Sequence, residues 1–173
     1  MSDRILVAYA TCTGSTAGVA EAIAQTLRDS GAQVDVRLVH EVTSLAEYDA
    51  VVIGSAIQNK QWLPEAMVFV QEHREELNRK PFAAFLVCMT MAMKNVNATT
   101  RTMVADWLVP VRALVPTVAE GAFAGTLYLN KIPDFWARLG FRISVWTGVW
   151  KEGDHRDWNA IRAWAAALPT KFS

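Results

Sequence analysis

Apolar and polar positions alternate along the chain in two kinds of segment. Ile5 to Ala10 is an apolar run of strand length, too short for a helix. From Ser15 onward, Val19, Ile23 and Leu27 recur four apart and share one helical face, with Gly31 as the expected C-cap. Val34 to Val39 reads as a second strand and Ala50 to Gly54 as a third. Pro64 suits a first helical position, and Ala66, Phe69, Val70 and Leu77 mark the helix face behind it. Phe82 to Met89 is a fourth, wholly apolar strand. Met103, Val104, Trp107, Leu108 and Val111 mark another helix, expected to end near Pro110. Val118 to Leu127 reads as a fifth strand, broken by Gly121 and Gly125, and a last helix turns Trp158, Ile161, Trp164, Ala165 and Leu168 inward.

Strands that are apolar throughout are covered on both faces, which predicts an α/β fold with a parallel sheet between helices. Five such strands fit the doubly wound order 2-1-3-4-5, expected as a single domain over residues 1–173. One stretch is surplus to that plan, Tyr128 to Gly153. There Ile132, Phe135, Trp136, Leu139, Ile143 and Trp146 have helical spacing, and Asp134, Arg138 and Arg142 form a separate charged stripe. Such an aromatic helix can pack on the core, cover a ligand or touch a membrane surface.

Composition narrows the function classes. Lysine plus arginine equal aspartate plus glutamate, 17 each, so no basic field recruits nucleic acid. No uncharged run reaches bilayer-spanning length, and Met1-Ser2-Asp3-Arg4 leads straight into a strand, so no signal peptide is expected. Cys12 and Cys88 are expected two strands apart, roughly 9 to 10 Å from the sheet spacing, beyond the reach of a disulfide. That fits a cytoplasmic protein. His40, His73 and His155 have no ligand spacing, so no metal site is expected.

Ligands of open α/β sheets bind beyond the carboxyl ends of the strands, near the switch point. Three loops leave such ends: Thr11 to Thr16, Ser55 to Gln58 and Thr90 to Asn95. The first offers four hydroxyls and a glycine at a helix N-terminus, where free N–H groups and the helix dipole favour a phosphate. No lysine or arginine lies within it. The loop lacks the Gly-Lys-Ser/Thr of a Walker A turn and the Gly-x-Gly-x-x-Gly dinucleotide fingerprint. A Cys-x5-Arg phosphatase loop is also absent, because the sixth residue beyond Cys12 is Gly18. Met89, Met91 and Met93 alternate and would share one side of a continuing strand.

Thr11-x-Thr13-Gly14-x-Thr16 resembles the phosphate loop of the flavodoxin superfamily. Val51-Val52-Ile53-Gly54-Ser55-Ala56-Ile57 resembles its second flavin-contacting loop, and Cys88 to Asn95 sits where the third belongs. Within the superfamily the chain is most similar to the menaquinone-dependent protoporphyrinogen oxidase group, on Ala124 to Gly148 and Gly153 to Trp164. The resemblance implies a flavodoxin-like fold with a helical insert at about 128–153, and FMN as cofactor. It implies phosphate contacts from Thr11, Cys12, Thr13, Gly14, Ser15 and Thr16. Ser55, Ala56, Ile57 and Gln58 would border one side of the isoalloxazine, and Thr90, Met91, Ala92, Met93 and Lys94 the other, with Asp154 near the flavin.

It also implies an oxidoreductase working on a porphyrinogen-like donor with a quinone or redox-protein acceptor, and it leaves room for a peripheral location at the inner face of the cell membrane. The redox chemistry would belong to the cofactor, with no protein acid or base. An electron carrier of flavodoxin type is the alternative. Such carriers are usually acidic, stack aromatics on the ring (here only Trp62 is near enough in sequence) and flip a peptide in the second loop. This chain is neutral, and Ser55-Ala56-Ile57 holds neither glycine nor asparagine. Arg138, Arg142 and Lys94 are candidates to meet propionates or lipid head groups, or simply form a solvated face.

Overall fold

The computed structural model describes residues 4–132 and 134–173; Met1–Asp3, on which the reading of the N-terminus rests, lie outside them. In chain order the elements are β1 (Arg4–Ala10), α1 (Ser15–Asp29), β2 (Gln33–Leu38), β3 (Ala50–Gln58), β4 (Gln61–Trp62), α2 (Pro64–Glu72), α3 (Arg74–Leu77) and β5 (Phe82–Val87). Then follow α4 (Ala98–Ala105), α5 (Val109–Leu114), β6 (Ala119–Phe123), β7 (Thr126–Leu127), α6 (Phe135–Trp146), β8 (Gly153–Asp154), α7 (Trp158–Ala167) and α8 (Pro169–Phe172). The sheet runs β2-β1-β3-β5-β6, all parallel. This is the expected order once the two-residue β4 is set aside.

Period-two alternation divides the core. Leu6, Ala8 and Ala10 of β1 face a cluster with α2, α4 and α5. Ile5 and Val7 face the opposite cluster, built on Val19, Ile23 and Leu27 of α1 and Ile161, Ala165 and Leu168. Both clusters are closed to water, so the central strands are apolar on both sides, as a helix-covered parallel sheet requires.

Several boundaries differ from the pattern-based reading. The third strand does not stop at Gly54 but continues to Gln58 and folds back on β4. The turn is Asn59-Lys60, with φ of 52° and 63°, the left-handed pair of a tight hairpin. The fourth strand ends at Val87, and Met89–Ala92 is a 3-10 turn. The methionine alternation therefore has no strand to carry it. Pro110 opens α5 instead of ending a helix, because its fixed φ and missing N–H suit a first turn. The segment after the fifth strand's core leaves the sheet, with β7 pairing antiparallel to β8. The helix face through Leu77 is also split, with His73 between α2 and α3.

Gly54 is retained for space. A Cβ there would lie 1.9 Å from Phe85 Cζ, because the Phe85 ring folds across the strand at its cross-strand partner.

Candidate functional site

The parallel register brings the carboxyl ends of β1, β3 and β5 side by side, with Ala10 opposite Ser55 and Ala56 opposite Val87. Beyond them lies a cleft of about 400 Å³. Its floor is Cys12, Thr13 and Ser15 from the first turn, Ala56, Ile57, Gln58 and Asn59 from the end of β3, and Val87, Cys88 and Met89 from β5. Gly125, Thr126, Ile132, Asp134, Ala137 and Phe141 form the far wall. A wider depression of about 700 Å³ over α2 and α3 is lined by the polar residues Gln71, Glu72, Arg74, Glu75, Glu76, Asn78 and Arg79.

The first turn is shaped as an anion seat. Thr11 Oγ1 accepts a hydrogen bond from Gly14 N at 3.0 Å, closing the turn. Gly14 takes φ 88°, and a Cβ on it would meet nothing within 4 Å, so glycine is there for its left-handed backbone. It precedes a fifteen-residue helix whose N-cap makes no side-chain hydrogen bond and whose first turn has no acidic residue. The N-terminal amides of α1 thus lack the usual cap. Thr16 Oγ1 is fully buried and has no partner among the described residues. An unsatisfied buried hydroxyl costs about 1–3 kcal/mol, so this turn fits a ligand that accepts hydrogen bonds.

Thr16→Val is expected to act with opposite signs in the two states. It should raise the melting temperature of the ligand-free chain, by about 1 kcal/mol of stability, and weaken binding of a phosphate-bearing ligand at this turn about tenfold. Paired thermal melts with and without such a ligand check both; a destabilised free chain would contradict the assignment.

The other expected residues distribute unevenly. Ser55 is fully buried; its hydroxyl donates to Ala56 O and accepts from Leu63 N, tying β3 to the start of α2. Thr90 to Lys94 leave the cleft at Met89 through the 3-10 turn, and Met91 packs against the core cluster. Trp62 is 3% exposed within the same cluster, so it does not reach the cleft as an aromatic cover. Asp154 pairs across β8 with Thr126 and forms an ion pair with Arg156. Hydrogen bonds from Arg156 hold its carboxyl below the ordinary range despite partial burial.

Cys12 and Cys88 are both free. Burial, then the Glu65 charge, push the Cys12 thiol up; burial does the same at Cys88. Protonated thiols are poor nucleophiles, so phosphatase-type chemistry at Cys12 has no support. Among the described residues, no cluster of His, Cys, Asp or Glu could hold a metal ion.

The far wall comes largely from the aromatic segment expected to pack on the core, cover a ligand or touch a membrane surface: Ile132, Asp134, Ala137 and Phe141 of it line the cleft. Asp134 Oδ1 caps α6 by accepting from Ala137 N at 2.6 Å, and Ala137 and Phe141, four apart, point one face at the cleft. Ile132 lies before this helix, not on it. At 100° per residue the opposite face is Phe135, Trp136, Leu139, Ile143 and Trp146. All five are exposed, Trp136 at 75% and Trp146 at 87%. Among the described residues no helix is long and apolar enough to cross a membrane.

Comparison with known proteins agrees with this geometry. The sequence matches the flavodoxin domain family over residues 6–155. It is 29% identical to the protoporphyrinogen IX dehydrogenase [quinone] of Leishmania major, over 97% of this chain and 77% of that protein. To the protein of that name from Escherichia coli K12 it is 33% identical, over 49% of this chain and 48% of that one. A short-chain flavodoxin associated with a bacterial microcompartment superposes over the full length of both chains with TM-score 0.58 and 15% identity, a likeness of fold.

Proposed function

The chain belongs to the flavodoxin domain family, and we propose that it is an FMN-dependent oxidoreductase that moves two-electron equivalents from a porphyrinogen-like donor to a quinone. Family membership implies a flavin; the phosphate seat at α1 favours FMN, which supplies the redox chemistry when bound. Thr13, Ser15, Thr16 and the first amides of α1 would hold the phosphate. Ala56, Ile57 and Gln58 would border one side of the ring, with Cys88 and Met89 opposite; Thr90 to Lys94, expected there from the resemblance, are not part of the cleft lining. The phosphate tail and its uncapped helix carry this reading.

What favours an enzyme over a carrier is the state of the second loop. Ser55, Ala56 and Ile57 are strand: Ser55 is registered with Ala10 and Leu86, Ala56 with Val87, and Ile57 with Trp62. Flipping a peptide there would break ladder hydrogen bonds on both sides of β3. Among the described residues, Asp134 is the only charged residue lining the cleft, and its carboxylate is engaged by α6. The cleft therefore offers an apolar approach suited to a flat, weakly polar donor or acceptor.

The exposed face of α6 fits contact with an anionic membrane surface. Arg142 lies on α6, and Lys131 and Lys151 in the segments flanking it, while Arg138 donates to Ile132 O; the two acids of the segment are occupied: Asp134 caps α6 and Glu152 accepts from Leu129 N. Cations rimming an aromatic face are what an interfacial helix requires. Access from a bilayer would suit a lipophilic quinone.

Anaerobic incubation of the FMN-loaded chain with a porphyrinogen and a menaquinone analogue should produce porphyrin fluorescence in step with quinone reduction. Electron exchange with a redox protein alone, and none with porphyrinogen, would instead make it a carrier.

A further inference from the structure

The turn after β1 carries no cation of its own, and Gly18 stands where a phosphatase loop would place arginine. A guanidinium nevertheless fills the space beside that glycine. A Cβ built on Gly18 would lie 2.3 Å from Arg156 Nη1 and 3.4 Å from its Cζ. Nη1 also lies 3.5 Å from the Ser15 carbonyl oxygen, at the outer limit of a hydrogen bond, so it keeps donor capacity to spare.

Arg156 is held from two sides. Its Cζ stacks 4.4 Å from the Trp158 ring centroid. Asp154 accepts from Nε at 2.8 Å and from Nη2 at 2.6 Å, and from the Arg156 backbone N–H at 3.0 Å. The side chain is only 17% exposed. The carboxylate therefore takes the Nε–Nη2 edge and leaves Nη1 directed at the first turns of α1. The pair is a fixed dipole with its positive end against the first turn of α1, beside Ser15 and Gly18.

We propose that Arg156, positioned by Asp154 and Trp158, is the cation of that seat and sets the chain's preference for a phosphorylated over an unphosphorylated flavin. This rests on the flavin reading of the site. Amides and hydroxyls alone supply a shape and a partial charge; the guanidinium adds the positive end of a charge pair against the same helix turn, within the Debye length of physiological salt. Its effect belongs to FMN and not to riboflavin, which has the same ring system and no phosphate.

Titrations of the flavin-free chain with FMN and with riboflavin test this. Arg156→Gln leaves the Asp154 carboxylate without its counter-charge, and should raise the FMN dissociation constant about tenfold while moving that of riboflavin less than about twofold. Arg156→Lys should recover part of the loss. Asp154→Asn, which loosens the hold on Arg156 but keeps its charge, should weaken FMN binding less than Arg156→Gln does. Gly18→Ala, which displaces Nη1 while adding a better helix former, should weaken FMN binding without lowering the melting temperature, and it decides the matter even where Arg156→Gln fails to fold. Equal losses for both flavins, an Asp154→Asn loss matching that of Arg156→Gln, or unchanged FMN binding in Gly18→Ala would each overturn the proposal. A wild-type chain that binds neither flavin removes the underlying reading, and the proposal with it.

Discussion

Gly54→Ala is expected to destabilise the fold by about 3 kcal/mol, the upper range for overpacking a closed core. The added Cβ would sit 1.9 Å from Phe85 Cζ and 2.3 Å from both Cε atoms. Phe85 cannot swing aside cheaply: it is fully buried, with Phe123 and Trp164 each at 6.2 Å between ring centroids. Either β3 and β5 separate or the aromatic cluster repacks. Denaturant unfolding measures the loss, and Gly54→Ala combined with Phe85→Leu should recover a substantial part of it. The two sites touch, so their effects should not add. A Gly54→Ala chain as stable as wild type would mean the ring does not lie over this strand.

The second large effect concerns α6. Trp136→Ser with Trp146→Ser should reduce binding to vesicles rich in anionic lipid by at least about a hundredfold, since burying each large apolar side chain contributes about 1.5–3 kcal/mol. Both residues are largely exposed, at 75% and 87%, with Trp136 touching only its neighbour Phe135 among the described aromatic rings, so the fold and the cleft should be untouched. FMN affinity and melting temperature are the controls. Arg142→Glu, at a residue with no carboxylate partner among the described residues, should weaken binding further and make it less sensitive to salt. Wild-type chain that ignores vesicles but forms dimers through this face would assign the surface to a second copy instead.

The parallel sheet, its order and the hydroxyl-rich turn were legible because each follows from local pattern: apolar runs of strand length, four-residue spacing in α1, and small residues at a strand-to-helix junction. Other boundaries depended on tertiary contacts. Gly54 looks like a strand terminus in sequence, but it is a gap for the Phe85 ring, supplied from the neighbouring strand. The hairpin beyond it turns on Asn59-Lys60, which lacks the glycine that normally announces such a turn. Met89 begins a 3-10 turn that apolar composition cannot distinguish from more strand. The aromatic spacing of α6 was readable, yet not whether its face met core or solvent. Arg156 was invisible as part of the site. Only the β7–β8 pairing, with His155 N donating to Gly125 O, returns the chain to α1.

Central to the account is the uncapped start of α1 as the seat for a flavin phosphate. The direct measurement is titration of the flavin-free wild-type chain with FMN, followed by fluorescence quenching, with riboflavin in parallel. Saturable, stoichiometric binding of FMN, tighter than that of riboflavin, is the predicted result. A chain that stays colourless in excess FMN, or that takes both flavins equally well, would contradict it.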